Sequence, residues 1–192
     1  MLVTRFVATM IVVALSTSLT ACISKKTVVS PIQGRTQINA PADANSKNWV
    51  YSSVIRIIDG DTIEVLIGQT KEKVRLLGIN APESVDPQRP MECFGIQASQ
   101  QMHLLLTGKK IYLAADKFAT DRDQYGRLLR YVYDEYKQMI NLELIKNGYA
   151  FAYTPGRLEH FSELRYYEKQ ARDEGRGLWN SAVCPYKSKY GQ

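Results

Sequence analysis

Two short stretches bring together residue types that can act on a phosphate: Asp59-Gly60-Asp61-Thr62, and then Arg75-Leu76-Leu77-Gly78-Ile79-Asn80-Ala81-Pro82-Glu83. Asp61 and Asn80 offer hard oxygen ligands, which suit calcium or magnesium and not a soft metal. Arg75 is a planar, permanently charged fork that matches a phosphate and cannot act as a base. Glu83 follows Pro82, whose ring fixes the local backbone and lets a carboxylate be aimed at a water. A second guanidinium arrives in Asp123-Gln124-Tyr125-Gly126-Arg127. An oxygen-ligated cation, a carboxylate and two guanidiniums are the parts that hydrolysis of a phosphodiester calls for. An Asp-Gly turn also has an ordinary use, since it commonly serves a hairpin for its backbone angles.

Strands and helices must hold these groups. Val50 to Ile58 and Thr62 to Ile67 are rich in β-branched residues and meet across Asp59-Gly60, a hairpin signal. Lys73 to Ile79 reads as a third strand, and Lys110 to Ala115 and Leu128 to Tyr133 as a fourth and fifth. Between the third and fourth, Phe94 to Thr107 carries Ile96, Met102, Leu105 and Leu106 at helical spacing and is closed by Gly108. That order predicts an α+β fold built on a five-stranded OB-fold β-barrel. Gln138 to Asn147, with Ile140, Leu144 and Ile145 facing the core, and Glu159 to Glu174, with Phe161, Leu164, Tyr167 and Ala171 along one side and charges on the other, bring the helices to about three. Leu178 and Trp179 are expected to cap the core.

Asp-Gly-Asp-Thr, Arg-Leu-Leu-Gly-Ile-Asn-Ala-Pro-Glu and Asp-Gln-Tyr-Gly-Arg, in this order, resemble the thermonuclease (staphylococcal-nuclease-like) family, from about Val54 to Trp179. The resemblance implies a calcium-dependent endo- and exonuclease that cleaves DNA and RNA and leaves 3′-phosphates. Position by position, it implies calcium ligands at Asp61, Asn80 and the Ala81 carbonyl, and catalytic arginines at Arg75 and Arg127. Glu83 falls on the general-base position, where it either takes a proton or orients the water, and Tyr125 and Tyr153 fall near nucleotide-contacting tyrosines. The family pattern carries aspartate where this chain has Asn80. The site therefore loses a formal negative charge, and a looser calcium requirement is expected.

The ends of the chain carry a different message. Residues 1–21 combine Arg5, the apolar run Phe6 to Leu15 and a Ser, Thr and Ala-rich stretch, the pattern of a signal peptide. Leu19-Thr20-Ala21-Cys22 resembles the bacterial lipobox, which implies lipidation at Cys22 and a membrane anchor without a spanning helix. Residues 22–48 read as a flexible tether, residues 49–180 as the nuclease-like domain and residues 181–192 as a tail. The expected location is the bacterial cell envelope, the outer membrane or the periplasmic face if the source is Gram-negative; Ile23 and not aspartate follows Cys22, which by resemblance to Gram-negative lipoproteins favours the outer membrane. With Cys22 lipidated, Cys93 and Cys184 remain as an even pair in an oxidising compartment, either bridged or free.

The chain of 192 residues has a net charge of +6, and since Arg5 is the only charged residue of the signal, 6 − 1 leaves +5 on the mature portion. A modest basic excess suits a polyanion, here DNA or RNA, and Lys71, Lys73, Lys109, Lys110, Arg122 and Arg130 lie where some can line a phosphate track. No protein partner is evident and a monomer is expected. Two other classes remain open: a catalytically inactive nucleic-acid-binding barrel, and an envelope adaptor that needs neither metal nor nucleic acid.

Overall fold

Trp49–Asp59 (β1) and Thr62–Ile67 (β2) alternate buried and exposed side chains and pair antiparallel across the Gly60-Asp61 turn. The structure, a computed structural model, describes residues 49–84 and 90–185. Thr70–Leu76 (β3) adds antiparallel to β2, with Thr62 opposite Arg75. Ile79–Asn80 (β4) leaves the barrel, and Gly95–Leu106 (α1) follows. Lys110–Ala114 (β5) and Leu128–Tyr133 (β6) complete a closed barrel in the order β1-β2-β3-β6-β5, the connectivity of an OB fold.

Closure depends on the length of β1. Its first half pairs with β5, Trp49 opposite Ala114 and Ser53 opposite Lys110, and its second half with β2. Register breaks between Val54 and Arg56 and between Ile57 and Asp59 bend it to serve both neighbours, as bulges do at barrel corners. The β3–β6 pair is parallel, with Arg75 in register with Leu129. Inward positions at period two, including Ile63, Val65, Val74, Leu76, Ile111, Leu113 and Val132, form the core with Ala98, Met102 and Leu106 of α1.

Ile140–Lys146 (α2), Phe151–Ala152 (β7), Phe161–Asp173 (α3) and a 3₁₀ turn at Gly177–Trp179 pack against this barrel, Leu144, Ile145 and Leu164 being fully buried. The fold is therefore the expected α+β barrel with three helices, with three differences of detail. The third strand ends at Leu76 and not at Ile79, because Gly78 adopts φ +74° and turns Ile79-Asn80 away to pair with Phe151-Ala152. Ile96 is exposed and Ala98 takes its place against the core. Glu168, expected on a charged face, is buried; it accepts the Ala152 N–H and pairs with Arg165.

Cys93 and Cys184 form a disulfide with Cα atoms 5.8 Å apart. The expected signal segment, Cys22, the expected tether up to residue 48 and residues 186–192 lie outside the described residues. Among those described, no helix is long and apolar enough to cross a membrane.

Candidate active site

β3 sets the site by alternation: Val74 and Leu76 point into the core, so Arg75 between them faces outward. The Thr62–Arg75 register then brings the preceding residue, Asp61, within reach. Arg75 Nη2 lies 3.0 Å from Asp61 Oδ2 and donates to Asn80 Oδ1 at 3.0 Å. Its Nη1 donates to the carbonyls of Leu76 at 2.9 Å and Ile79 at 2.8 Å. The turn at Gly78 is what returns Ile79 and Asn80 to the same guanidinium. A Cβ on Gly78 would stand 2.4 Å from Leu164 Cδ1, so the turn and the packing of α3 both exclude a side chain there.

Asp61 is buried and fully engaged: Oδ1 accepts the Thr62 hydroxyl at 2.9 Å, and Oδ2 accepts the Ala81 N–H at 2.8 Å. Glu83 is half-buried and held at both backbone ends, its N–H donating to Glu92 Oε2 and its carbonyl accepting the Glu92 N–H. Gly95 sits against the same carbonyl, where a Cβ would come within 2.3 Å of it. Asp59, which the sequence suggests only as a turn residue, belongs to this acidic group. Burial pushes its carboxyl above the ordinary value, and the Asp61 and Glu83 charges add to the rise, against hydrogen bonds from Ser84 and Gly60.

Arg127 stands just before β6, two residues ahead of the Leu129 that pairs with Arg75. Its Nε donates to Asp123 Oδ2 at 2.6 Å, and its guanidinium lies 5.3 Å from the exposed Tyr125 ring. Burial would raise the Asp123 carboxyl, but the Arg127 side chain and the backbone N–H groups of Arg127 and Tyr125 hold it below the ordinary carboxylate range. Tyr153 follows β7 and donates its N–H to the Gly78 carbonyl at 2.9 Å.

Arg75, Arg127, Tyr125 and Tyr153 line one open cleft of about 570 Å³. Asp61, Asn80, Ala81 and Glu83 are not in its lining; the first two are linked to it through Arg75. Phe118, Arg157 and Leu158 also line the cleft, and nothing in the local sequence pattern marks them. None of Lys71, Lys73, Lys109, Lys110, Arg122 or Arg130 does. Arg122 instead forks onto Glu72, with contacts of 2.9 and 2.8 Å, and Arg130 pairs with Asp121, so these two are neutralised on the barrel surface.

Among the described residues no group of three or more His, Cys, Asp and Glu side chains converges on a metal position. The donors around Asp61 nevertheless have the right chemistry for a hard cation: oxygen only, with the Asp59 carboxyl, raised first by burial and then by its acidic neighbours, close by. Arg75 Nη2 takes up the same Asp61 and Asn80 oxygens that such a cation would use.

The chain is similar in sequence to known proteins. Residues 73–181 match the staphylococcal nuclease homologue family, a span that begins within β3. The chain is 35% identical over 140 residues to the thermonuclease of Staphylococcus hyicus, covering 72% of this chain and 80% of that one. It is 32% identical over 153 residues to the endonuclease YncB of Bacillus subtilis, covering 78% and 71%. With the thermonuclease of Staphylococcus intermedius it shares 35% over 129 residues, 66% and 74% of the two chains. A family match over more than half of its length, on a closed five-stranded barrel with three helices, makes this chain a member of the staphylococcal nuclease family of phosphodiester-cleaving enzymes.

Proposed function

We propose that this protein is a calcium-dependent nuclease that hydrolyses DNA and RNA outside the cytoplasm and leaves 3′-phosphates. The observation that carries the reading is that Arg75 and Arg127 line one cleft together with Tyr125 and Tyr153. A phosphodiester entering it meets two guanidiniums, and the tyrosine rings offer stacking surfaces for bases.

Hydrolysis forms a bond from water oxygen to phosphorus and breaks the bond to the 5′ oxygen, so the phosphate stays on the 3′ side. Charge accumulates on the non-bridging oxygens, where Arg75 and Arg127 stabilise it. Glu83 either accepts the water proton or orients the water, and Glu92 and Gly95 keep its backbone in place for that task. Asp61, Asn80 and the Ala81 carbonyl would hold calcium, which when bound supplies divalent charge against the phosphate. Because Asn80 is an amide, the requirement for calcium is expected near millimolar concentrations. Cys22, in this reading, carries lipid and holds the enzyme at the bacterial envelope, so labelled fatty acid should enter the wild type and not Cys22→Ser.

The test incubates the protein with single- and double-stranded DNA and with RNA, over a calcium titration and in excess chelator, beside Glu83→Gln and Arg75→Ala. Calcium-dependent cleavage lost in both variants is the expected result. Nucleic-acid binding without cleavage at any calcium concentration would instead identify an inactive binding barrel, and absence of both would leave the adaptor.

A further inference from the structure

At the end of the cleft formed by the loops after β5 and β7, Phe118 keeps 41% of its surface exposed, and the Arg157 guanidinium carbon lies 3.9 Å from its ring centroid. A partly exposed ring that carries a stacked guanidinium and lines the cleft offers a flat face on which a planar group can stack. Lys117, also near the ring at 5.1 Å, is paired with Glu159 at 2.8 Å. Among the described residues Arg157 has no carboxylate partner, so its charge is available to an anion.

The pair is built on clamped backbone. Asp116, buried at the end of β5, accepts the Phe118 N–H at 2.7 Å through one oxygen. Through the other it accepts the Glu159 N–H and the buried Tyr131 hydroxyl, each at 2.7 Å. One carboxylate thus ties the Phe118 loop to the Arg157 loop. The turn before Arg157 is closed by the Gly156 N–H on Thr154 Oγ1 at 3.0 Å. A stacking surface held this way loses little freedom when a ligand covers it.

We propose that Phe118 and Arg157 form a second nucleotide subsite, in which a nucleobase stacks on the pair and Arg157 contacts an adjoining phosphate. The subsite rests on the nuclease reading above and extends it. Substrate is gripped beyond the reacting phosphate, which favours single-stranded segments whose bases are free to stack. Aromatic stacking of a base typically changes affinity by about tenfold or more, and it tolerates any base because each has a π-face.

The test measures binding of a fluorescent single-stranded decanucleotide in chelator, and steady-state cleavage of the same strand and of a single-nucleotide nitrophenyl phosphodiester in calcium. Full-length wild type is compared with Phe118→Leu, Phe118→Tyr and Arg157→Ala. Phe118→Leu and Arg157→Ala are expected to weaken decanucleotide binding about tenfold and raise its KM similarly. Cleavage of the single-nucleotide ester should be unchanged, and Phe118→Tyr should retain wild-type binding. Unchanged decanucleotide binding in all three variants, or equal loss on both substrates, overturns the subsite and leaves the nuclease reading standing. Wild type that neither binds nor cleaves overturns both.

Discussion

Arg75 and Arg127 are held in unlike ways, and this separates what each removal should do. Arg75 is largely buried and fixed by Asp61, Asn80 and two carbonyls, so Arg75→Ala leaves a buried carboxylate without its cation. It should cost about 3 kcal/mol of stability besides turnover. Arg127 is more exposed, its guanidinium paired with Asp123 and lying over the Tyr125 ring; its loss should cost under about 1 kcal/mol. Arg127→Ala should lower kcat about 10³-fold with KM little changed, and steady-state kinetics beside chemical denaturation separate the two effects. Asp59 offers a further check. Its carboxyl titrates above the ordinary value in the folded protein, so the folded state binds the proton more tightly and stability falls as pH rises through that window. Asp59→Asn should therefore stabilise the metal-free protein at pH 7, with the gain vanishing toward pH 4; denaturation curves at both pH values in chelator test this.

At the scale of elements, strands set the Arg75 side of the cleft and loops its Phe118–Arg157 end, where Asp116 is the joint between the two loops. Its carboxyl is desolvated, which raises it, yet the Glu159 N–H, the Tyr131 hydroxyl and the Phe118 and Ala119 N–H groups bring it below the ordinary value. Asp116 thus contributes stability above the ordinary carboxylate range, and that contribution is lost as pH falls through its folded value. Asp116→Ala would leave the Tyr131 hydroxyl and backbone donors unsatisfied. It should destabilise by about 3 kcal/mol in urea unfolding and increase hydrogen exchange in both loops, while the barrel strands stay protected. Strand order, most of the helix faces and the α+β class were legible because they follow from period-two and period-3.6 patterns in local sequence; Ile96 and Glu168 broke the helix pattern. The break after Leu76 was not, although Gly78 marks it, since seven apolar-biased residues in a row read as one strand until β7 is present to receive Ile79.

At the scale of the whole molecule, the Cys93–Cys184 bridge spans 91 residues and joins the entry of α1 to the segment after the last helical turn. Closing a loop of that length stabilises by up to about 4–5 kcal/mol through the entropy of the unfolded chain. The bridge lies beside Glu92 and Gly95, which hold the backbone of Glu83. Reduction, or Cys93→Ser with Cys184→Ser, should lower the melting temperature by roughly 10 °C or more and reduce kcat more than oligonucleotide binding. A melting curve and a calcium-saturated assay with and without reductant would expose either failure.

Residue types and their spacing determined by themselves which kinds of group this protein can use: hard oxygens, a carboxylate behind a proline, two guanidiniums and three cysteines, on a pattern of strands and helices that closes into a barrel. These are local properties, set by side-chain chemistry and backbone periodicity. Tertiary structure decided which groups meet. The Thr62–Arg75 register brings Arg75 onto Asp61, the parallel β3–β6 pair leads Arg127 into the same cleft, and the Asp116 clamp joins the Phe118 loop to the Arg157 loop. It also buried Glu168 and turned Arg122 and Arg130 to carboxylates on the barrel surface. Such contacts join residues far apart in the chain, and their distances exist only once the barrel has closed.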